Sequence, residues 1–369
     1  MGEHQRKKAR TAAPAVDDWP AAVGAGALPR WDGLFVTGDS AISYFYGDLP
    51  AQWLSARGFH LDVCKVFERY ELEESRMNFG VRPQVTPGAP LLFDGVAAHF
   101  APLGPRASRR HGRRVLMSVD DNTRLVPSWW HDQVTPDALA EGEARLREAD
   151  GVIVPSARAA DLVQPFAREL FVIPPTLPRR EDWPARRPPR QAPGLRIGYV
   201  GTEQHLRDLE RIGPAVLELL ARWPTVTFVL GGQCVPSWAT DHPRVEVHVG
   251  WWLQPLYYRF VASLDLDGFV CPIEDAPFNV VKPCLKPLEA AMLGLPVIAS
   301  RVGSYAEDLV HEDTALLVET TTEAWLAALT RLVEDAALRA HLSARGLAWA
   351  ATRTIDSTGP LWATLWGAP

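Results

Sequence analysis

The chain is predicted to form two doubly wound, Rossmann-like α/β domains that face each other across a cleft. Three observations carry that prediction. Short apolar runs alternate with helix-like segments along most of the chain, and a proline- and arginine-rich stretch at 178–194 separates two such sets. The length, 369 residues, exceeds what one ordinary core accommodates. Strands that are apolar throughout belong to parallel sheets covered on both faces. Such sheets bind ligands beyond the carboxyl ends of their strands, so the cleft is the expected site.

The elements follow in order. GLFVTG is an apolar run closed by glycine, and 49–57 reads as a helix with Pro50 at its start and Gly58 as its stop. FHLDVCKVF, PLLFDG and RVLMSVDDN are strand candidates, whereas 71–90 lacks clear periodicity. A helix opened by Thr135-Pro136-Asp137, the strand GVIVPS, a helix from Ala157 and the strand ELFVIPP complete the first set. After 178–194 come the strand LRIGYVG, a helix over 206–223, the strands TVTFVLGG and VEVHVGW, a helix over 255–264 and the strand DGFVCPI. The segment PFNVVKPCLKPLEAAMLGLPVIAS, the strand TALLVE and three helices (323–334, 336–350 and one from about 356) close the chain. The expected organisation is a flexible tail over 1–30, a first domain over 31–177, the linker 178–194, which offers no apolar face, and a second domain over 195–350.

A hydrophobic fraction of 47% and a charged fraction of 22% are those of a soluble globular protein. The net charge of −6 gives no global reason to expect a polyanionic partner. Cys64, Cys234, Cys271 and Cys284 are scattered with no CxxC pair, which points to free thiols in a reducing compartment. No apolar run approaches a membrane span, and the basic start has no apolar segment behind it, unlike a secretory signal. Cytoplasmic residence follows by default, with a peripheral position at a membrane left open.

Two segments could hold an anion. In LRIGYVGTEQHLRDLERI, Gly198 and Gly201 flank a strand-to-helix turn, with His205, Arg207 and Arg211 close behind. The pattern is not GxGxxG, which argues against a nicotinamide dinucleotide. Backbone N–H groups and the dipole at a helix start favour an anion. The plainer reading makes Arg207 and Asp208 a solvated helix pair. The second segment leaves its strand at Cys271-Pro272, so Glu274 to Asn279 form a loop at the carboxyl end of the sheet. Lys282, Lys286 and Glu289 follow at i, i+4 and i+7, one face of a continuous helix. The lysines suit a diphosphate, and an ionised glutamate suits the two adjacent hydroxyls of a ribose. The plainer readings are snorkelling lysines and a Lys286–Glu289 salt bridge, against which the apolar AAMLGLPVIAS argues for burial. Pro283 and Pro287 interrupt the helix, so either it starts twice or it begins at Pro287 with both lysines on the preceding loop.

YVGTEQHLRDLE, PIEDAPFNVVKPCLKPLEAAMLGLPVIASRVGSY and TALLVETTTEAWLAAL together resemble the donor-binding half of family-4 glycosyltransferases of the GT-B fold. The subgroup resembled carries a P-F/Y-N-x-x-K-S-x-x-K-x-L-E-Y-A-A-x-G-x-P-V-I-A-S signature. VLMSVDDN and ADGVIVPS resemble its hydrophobic-D-D-N segment and its A-D-x-V-x-V-S/P-S strand. The resemblance covers most of 31–350 and is more specific after the linker. It implies a nucleoside-diphosphate-sugar in the second domain, an acceptor in the first, and a final helix, 351–369, packed back on the first domain. It further implies mostly retaining transfer with no metal or other cofactor. On these residues it implies that Glu289 holds the ribose and that Lys282 and Arg207 contact the diphosphate, with Lys286 beside or behind them. Asp275, Phe278 and Asn279 would lie by the donor sugar, and Gly201 and Thr202 would form the donor-side turn. Lys282 would also act in catalysis by stabilising the departing diphosphate. Two positions depart from the pattern. Val281 stands where many relatives carry a second glutamate, and Pro283 replaces the signature serine.

In the first half, Asp120-Asp121-Asn122 ends a strand and should point into the cleft, where paired carboxylates can hold hydroxyls or act as a base. A helix or turn cap is the plainer role. His99 is a second cleft-side candidate. Asp265-Leu266-Asp267 imitates a metal-binding DxD but precedes a strand instead of ending one, so it reads as a turn. PRASRRHGRR places five arginines, Arg106 to Arg114, before the Asp120 strand. Such a run is usually solvated, and an anionic acceptor, either a lipid phosphate or nucleic acid, is the functional alternative. The expected function is transfer of a sugar from a nucleoside-diphosphate-sugar to an acceptor hydroxyl. Three alternatives remain. One is an inactive GT-B binder or scaffold, favoured by the missing glutamate and serine. Another is transfer to a modified nucleic-acid base. The third is an epimerase, for which the sequence shows no convincing histidine–carboxylate pair.

Overall fold

The structure is a computed structural model that describes residues 32–38, 43–66, 90–94, 114–120, 135–184, 194–250, 252 and 254–368. The expected tail, the segment 71–89, His99, Arg106 to Arg113, Asp121, Asn122 and 185–193 lie outside the described residues.

The described strands form two sheets. The first contains β1 (Gly33–Gly38), β2 (Leu61–Val66), β3 (Leu91–Asp94), β4 (Val115–Ser118), β5 (Gly151–Val154) and β6 (Leu170–Val172), in the order β2-β1-β3-β4-β5-β6. The second contains β7 (Arg196–Gly201), β8 (Thr227–Gly232), β9 (Val245–Val249), β10 (Gly268–Cys271), β11 (Val297–Ser300) and β12 (Leu316–Val318), in the order β12-β11-β10-β7-β8-β9. Each pairing between these strands is parallel. Every residue of β4, β5, β10 and β11 is buried, as strands covered on both faces must be. The winding of the second sheet reverses between β7 and β10. The crevice outside their carboxyl ends is therefore the place where a doubly wound sheet leaves room for a ligand.

Helices seat themselves by apolar stripes and caps. Leu206–Arg222 buries Leu209, Ile212, Val216, Leu219 and Leu220, a stripe of helical period. Ala157–Val163 is capped by Ser156, whose Oγ accepts from the Ala159 N–H at 3.2 Å. A wide helical turn at Ser43–Asp48 and the short helix Gly303–Asp308 carry too few residues to show a period in the sequence. Gly303 (φ 48°) opens the latter, and a Cβ there would overlap the Val280 carbonyl oxygen.

The stretch 178–194 differs from a plain linker at its start. Arg180–Asp182 makes a short helical turn, and Trp183 is buried with its ring 4.0 Å from that of Tyr258 in the second domain. A single tryptophan supplies apolar area that composition alone hides.

The last helix, Ile355–Trp366, lies against the first domain. Leu177 donates its N–H to Arg353 O at 2.8 Å and accepts from Ile355 N at 2.7 Å, which fixes the crossing. Trp362 is fully buried, edge-on to Tyr46 at 5.5 Å, and its Nε1–H donates to Thr176 Oγ1 at 3.3 Å. Gly359 sits so close to Trp53 that a Cβ would overlap the indole. Arg114, the last arginine of the basic run, donates to Leu365 O and Glu169, so this member braces the fold. Among the described residues no helix is long and apolar enough to cross a membrane.

Truncating Trp362 to alanine is expected to lower the free energy of unfolding by about 3–5 kcal/mol, and Gly359→Val by about 1–3 kcal/mol through overpacking. Denaturant titrations followed by tryptophan fluorescence measure both. Unchanged midpoints would show that the final helix does not brace the first domain.

Candidate functional site

Two loops meet at the switch point of the second sheet. β7 ends at Gly201, where a Cβ would overlap the Tyr199 phenol, and half-buried Thr202 leads into the short turn Glu203–His205 and the helix Leu206–Arg222. Beyond β10 the loop is tied to itself. Ala276 N–H donates to Glu274 O at 2.9 Å, Asn279 N–H to Ala276 O at 2.8 Å, and the Asn279 side-chain amide to Glu274 O at 3.0 Å. Ile273 N–H donates to Ser300 Oγ at 3.0 Å, fixing the loop to β11. Asn279 is thus a buried staple of the loop, while Asp275 is exposed and Phe278 half-buried.

The prolines set where the next helix starts. Lys282 ends a short turn, Asn279–Val281, and is extended (φ −54°, ψ 132°), as a residue before proline prefers. The helix proper is Leu285–Met292, so it begins two residues before Pro287 and after Lys282. Pro287 falls in the first turn, where backbone N–H groups have no intrahelical partner to lose. The continuous three-residue face expected from spacing therefore breaks at Lys282. Lys286 and Glu289 belong to the helix; Lys282 hangs from the loop, its ammonium 4.5 Å from the centre of the Phe278 ring.

The Lys286 ammonium donates to Val200 O at 3.1 Å and stands 5.4 Å from the Tyr199 ring centre, so it is turned to the end of β7 and makes no ion pair with Glu289. Glu289 is 5% exposed, and the side chains of Gln254 and Tyr257 lie beside it. Its Oε1 has no hydrogen-bond partner, and neither have the buried Tyr258 Oη and Trp183 Nε1 nearby. Burial drives both charged groups toward neutrality. It lowers the Lys286 pKa and raises that of Glu289 to about 7, with the neighbouring opposite charge offsetting each shift only in part.

Asp208 corrects the reading of a solvated Arg207–Asp208 pair. Its carboxylate is buried, with Oδ2 at 2.8 Å from His205 Nδ1 and Oδ1 accepting the Glu274 N–H at 2.7 Å. It therefore joins the β7 loop to the β10 loop, and it forms the histidine–carboxylate pair that the sequence did not reveal. Arg207 is exposed on the same helix, and Arg211 pairs with Glu274.

From the first domain, half-buried Asp120 lies two residues beyond β4 and adds to the raising of the Tyr46 phenol pKa, which burial dominates. Tyr44 reaches across, its ring 6.4 Å from Tyr258, and the Glu289 charge contributes to its raised pKa after burial, Asp182 and Asp48. Tyr44, Gln254, Tyr257 and Tyr258 had no signal in the sequence, because only the fold brings them to Glu289. Asp265 (φ 55°) and Asp267 form a turn in which the Asp267 carboxylate caps the Arg196 N–H at 2.9 Å. Among the described residues no three histidine, cysteine, aspartate or glutamate side chains gather as a metal site.

Residues 195–335 match the family model described as glycosyl transferases group 1. The match spans the second sheet and both loops of the switch point. Glycogen synthase of Mycobacterium tuberculosis is 28% identical over 227 residues, 57% of this chain; the chain spans about half (52%) the length of the curated relatives it matches. Among solved structures, sucrose-phosphate synthase from Thermosynechococcus elongatus superposes with a TM-score of 0.69 at 16% identity, over 91% of this chain and 98% of that one. Anabaena HepE in complex with UDP-glucose superposes with a TM-score of 0.65 at 14% identity, over 91% and 99%. The fold is GT-B.

The raised pKa of Glu289 makes stability depend on pH. Between its ordinary value of 4.5 and about 7 the folded state holds more protons than the unfolded state. The contribution of this group to stability is therefore fully present below 4.5 and lost as pH rises through about 7. Glu289→Gln removes that loss. Relative to wild type, the variant should gain up to about 3 kcal/mol on going from pH 4.5 to pH 8. Paired denaturant titrations across this range measure the difference, and parallel pH profiles would refute the assignment.

Proposed function

We propose that this chain is a glycosyltransferase that takes a sugar from a nucleoside-diphosphate-sugar bound at the carboxyl edge of the second sheet. The unpartnered, buried Glu289 oxygen beside the Lys286 ammonium at the switch point carries this reading. A vicinal diol donates two hydrogen bonds to such a carboxylate, and a diphosphate restores the charge that burial withholds from Lys286. In this reading Glu289 holds the ribose and Lys286 the inner side of the diphosphate. Lys282 and Arg207 meet the diphosphate from the solvent side, over the turn Gly201-Thr202. Asp275 and Phe278 flank the sugar, and Asn279 keeps their loop in shape. With basic side chains and a helix start around the leaving group, transfer needs no metal ion. Positive charges already in place stabilise the departing nucleoside diphosphate without reorganisation. Retention follows if that leaving phosphate accepts the acceptor proton. The acceptor hydroxyl would enter from the first domain, past Tyr44, with Asp120, Asp121 and His99 as candidate contacts. The UDP-glucose bound in HepE supports a nucleotide-sugar as co-substrate.

A second reading, an inactive nucleotide-sugar binder, is favoured by Val281. This residue is buried with Val152, Val154, Ala159 and Val163 of the first domain, so the position of the missing glutamate serves packing. Turnover or hydrolysis of any nucleotide-sugar discards that reading.

A thermal-shift screen with UDP-, GDP-, ADP- and dTDP-sugars should single out a donor, because a ligand at 100 times its Kd stabilises by about 2.7 kcal/mol. With that donor, Glu289→Ala and Lys282→Ala should each abolish turnover while the far-UV circular dichroism stays native. Wild-type turnover in both variants would remove the site assignment.

A further inference from the structure

His205 and Asp208 are more than a brace between loops. The Asp208 carboxylate accepts a backbone N–H on one oxygen and faces His205 Nδ1 with the other, so Nδ1 is the protonated nitrogen of the neutral ring. The lone pair then sits on Nε2. That ring lies 6.2 Å from the Tyr199 ring, the same ring over which the Lys286 ammonium is held at 5.4 Å. The positive charges of Lys286 and Lys282 both oppose protonation of His205, so imidazole and ammonium groups share one field. The charged groups around it are Asp208 on its own helix, Lys286 on the helix Leu285–Met292 and Lys282 on the β10 loop, with Tyr199 beneath.

We propose that His205 is a fourth side-chain contact for the diphosphate and binds it as an imidazolium held on Asp208, so that nucleotide binding takes up a proton. The proposal rests on the nucleotide-sugar reading of the site. A neutral ring would aim its Nε2 lone pair at a phosphate oxygen, which is repulsive. A proton taken from solvent onto Nε2 turns the repulsion into a charge-assisted hydrogen bond, and Asp208 compensates the charge from behind. Burial and the two lysines favour the neutral ring, lowering its pKa against the opposing pull of Asp208. The diphosphate reverses the effect of the lysines by neutralising them. Hydrogen bonds from a ribose to Glu289 act in the opposite sense and release a proton, so the two contributions are separable by substitution.

Calorimetric titration of the full chain with UDP, GDP and ADP, between pH 6 and 8.5 in buffers of different ionisation enthalpy, counts the protons. For the nucleotide that binds, His205→Gln should lower the count at pH 7.5 by up to about one proton and weaken affinity about tenfold. Its pH dependence should flatten as well. Gln at 205 can still donate to Asp208, so a brace would be preserved. Asp208→Asn should keep the uptake but move it to lower pH. An identical proton count in wild type and His205→Gln overturns the role of His205 while leaving the donor site standing. Failure of all three nucleotides to bind wild type overturns both.

Discussion

A carboxylate and an ammonium are withheld from water at the one place where the second sheet reverses its winding. Glu289 keeps an oxygen without a partner, and Lys286 spends one of its donors on the end of β7. Each is driven toward its uncharged form by burial, and neither is neutralised by the other through an ion pair. Such an arrangement is costly in an empty protein. It makes sense where a ligand brings both a diol and a negative charge. The parallel sheet leaves the crevice, the glycine turn after β7 keeps it open, and the helix Leu285–Met292 fixes the two side chains on its first turns.

The loops are rigid for a reason that follows from the same constraint. Charged groups in a dry site are useful only if they are already aimed, because reorganisation would consume the gain. Asn279 closes the β10 loop on itself, Ser300 ties its root to β11, and Asp208 ties its middle to the β7 loop. Buried polar side chains here satisfy backbone groups first. Their positions follow from the loops, and the β10 loop holds Lys282 ahead of the helix that carries Lys286.

The alternation of strands and helices was legible because parallel strands are continuous apolar runs. Lys286 and Glu289 were legible for a local reason, since charged residues inside so apolar a segment demand an explanation. The start of the helix was less so. Two prolines allowed several beginnings, and only the extended backbone at Lys282, enforced by Pro283, decides between them. Asp208 was misjudged because exposure on a helix face depends on what lies opposite, and the β10 loop is 66 residues away in sequence. Tyr44, Trp183 and Tyr257 escaped for the same reason. Their roles are set by contacts between domains or across loops, which leave no local period to read.

Val281 shows how the two domains and the chemistry are coupled. At that position a carboxylate would face the valines of β5 and the helix Ala157–Val163, where it would be desolvated without a partner. The valine instead packs there, next to the Ser156–Ser304 contact at 3.3 Å and the Arg158–Glu307 pair at 2.7 Å. In the proposed reading, a position that could have faced the donor sugar is part of the joint between domains. Any acid or hydroxyl-binding group the transfer requires must then come from elsewhere at the cleft. In that reading the residues to supply it are those of the first domain, with Tyr44 across from Tyr258 and Asp120 at the carboxyl edge of its sheet. On the proposed function, the chemistry would therefore depend on the two domains meeting, more than on the second domain alone.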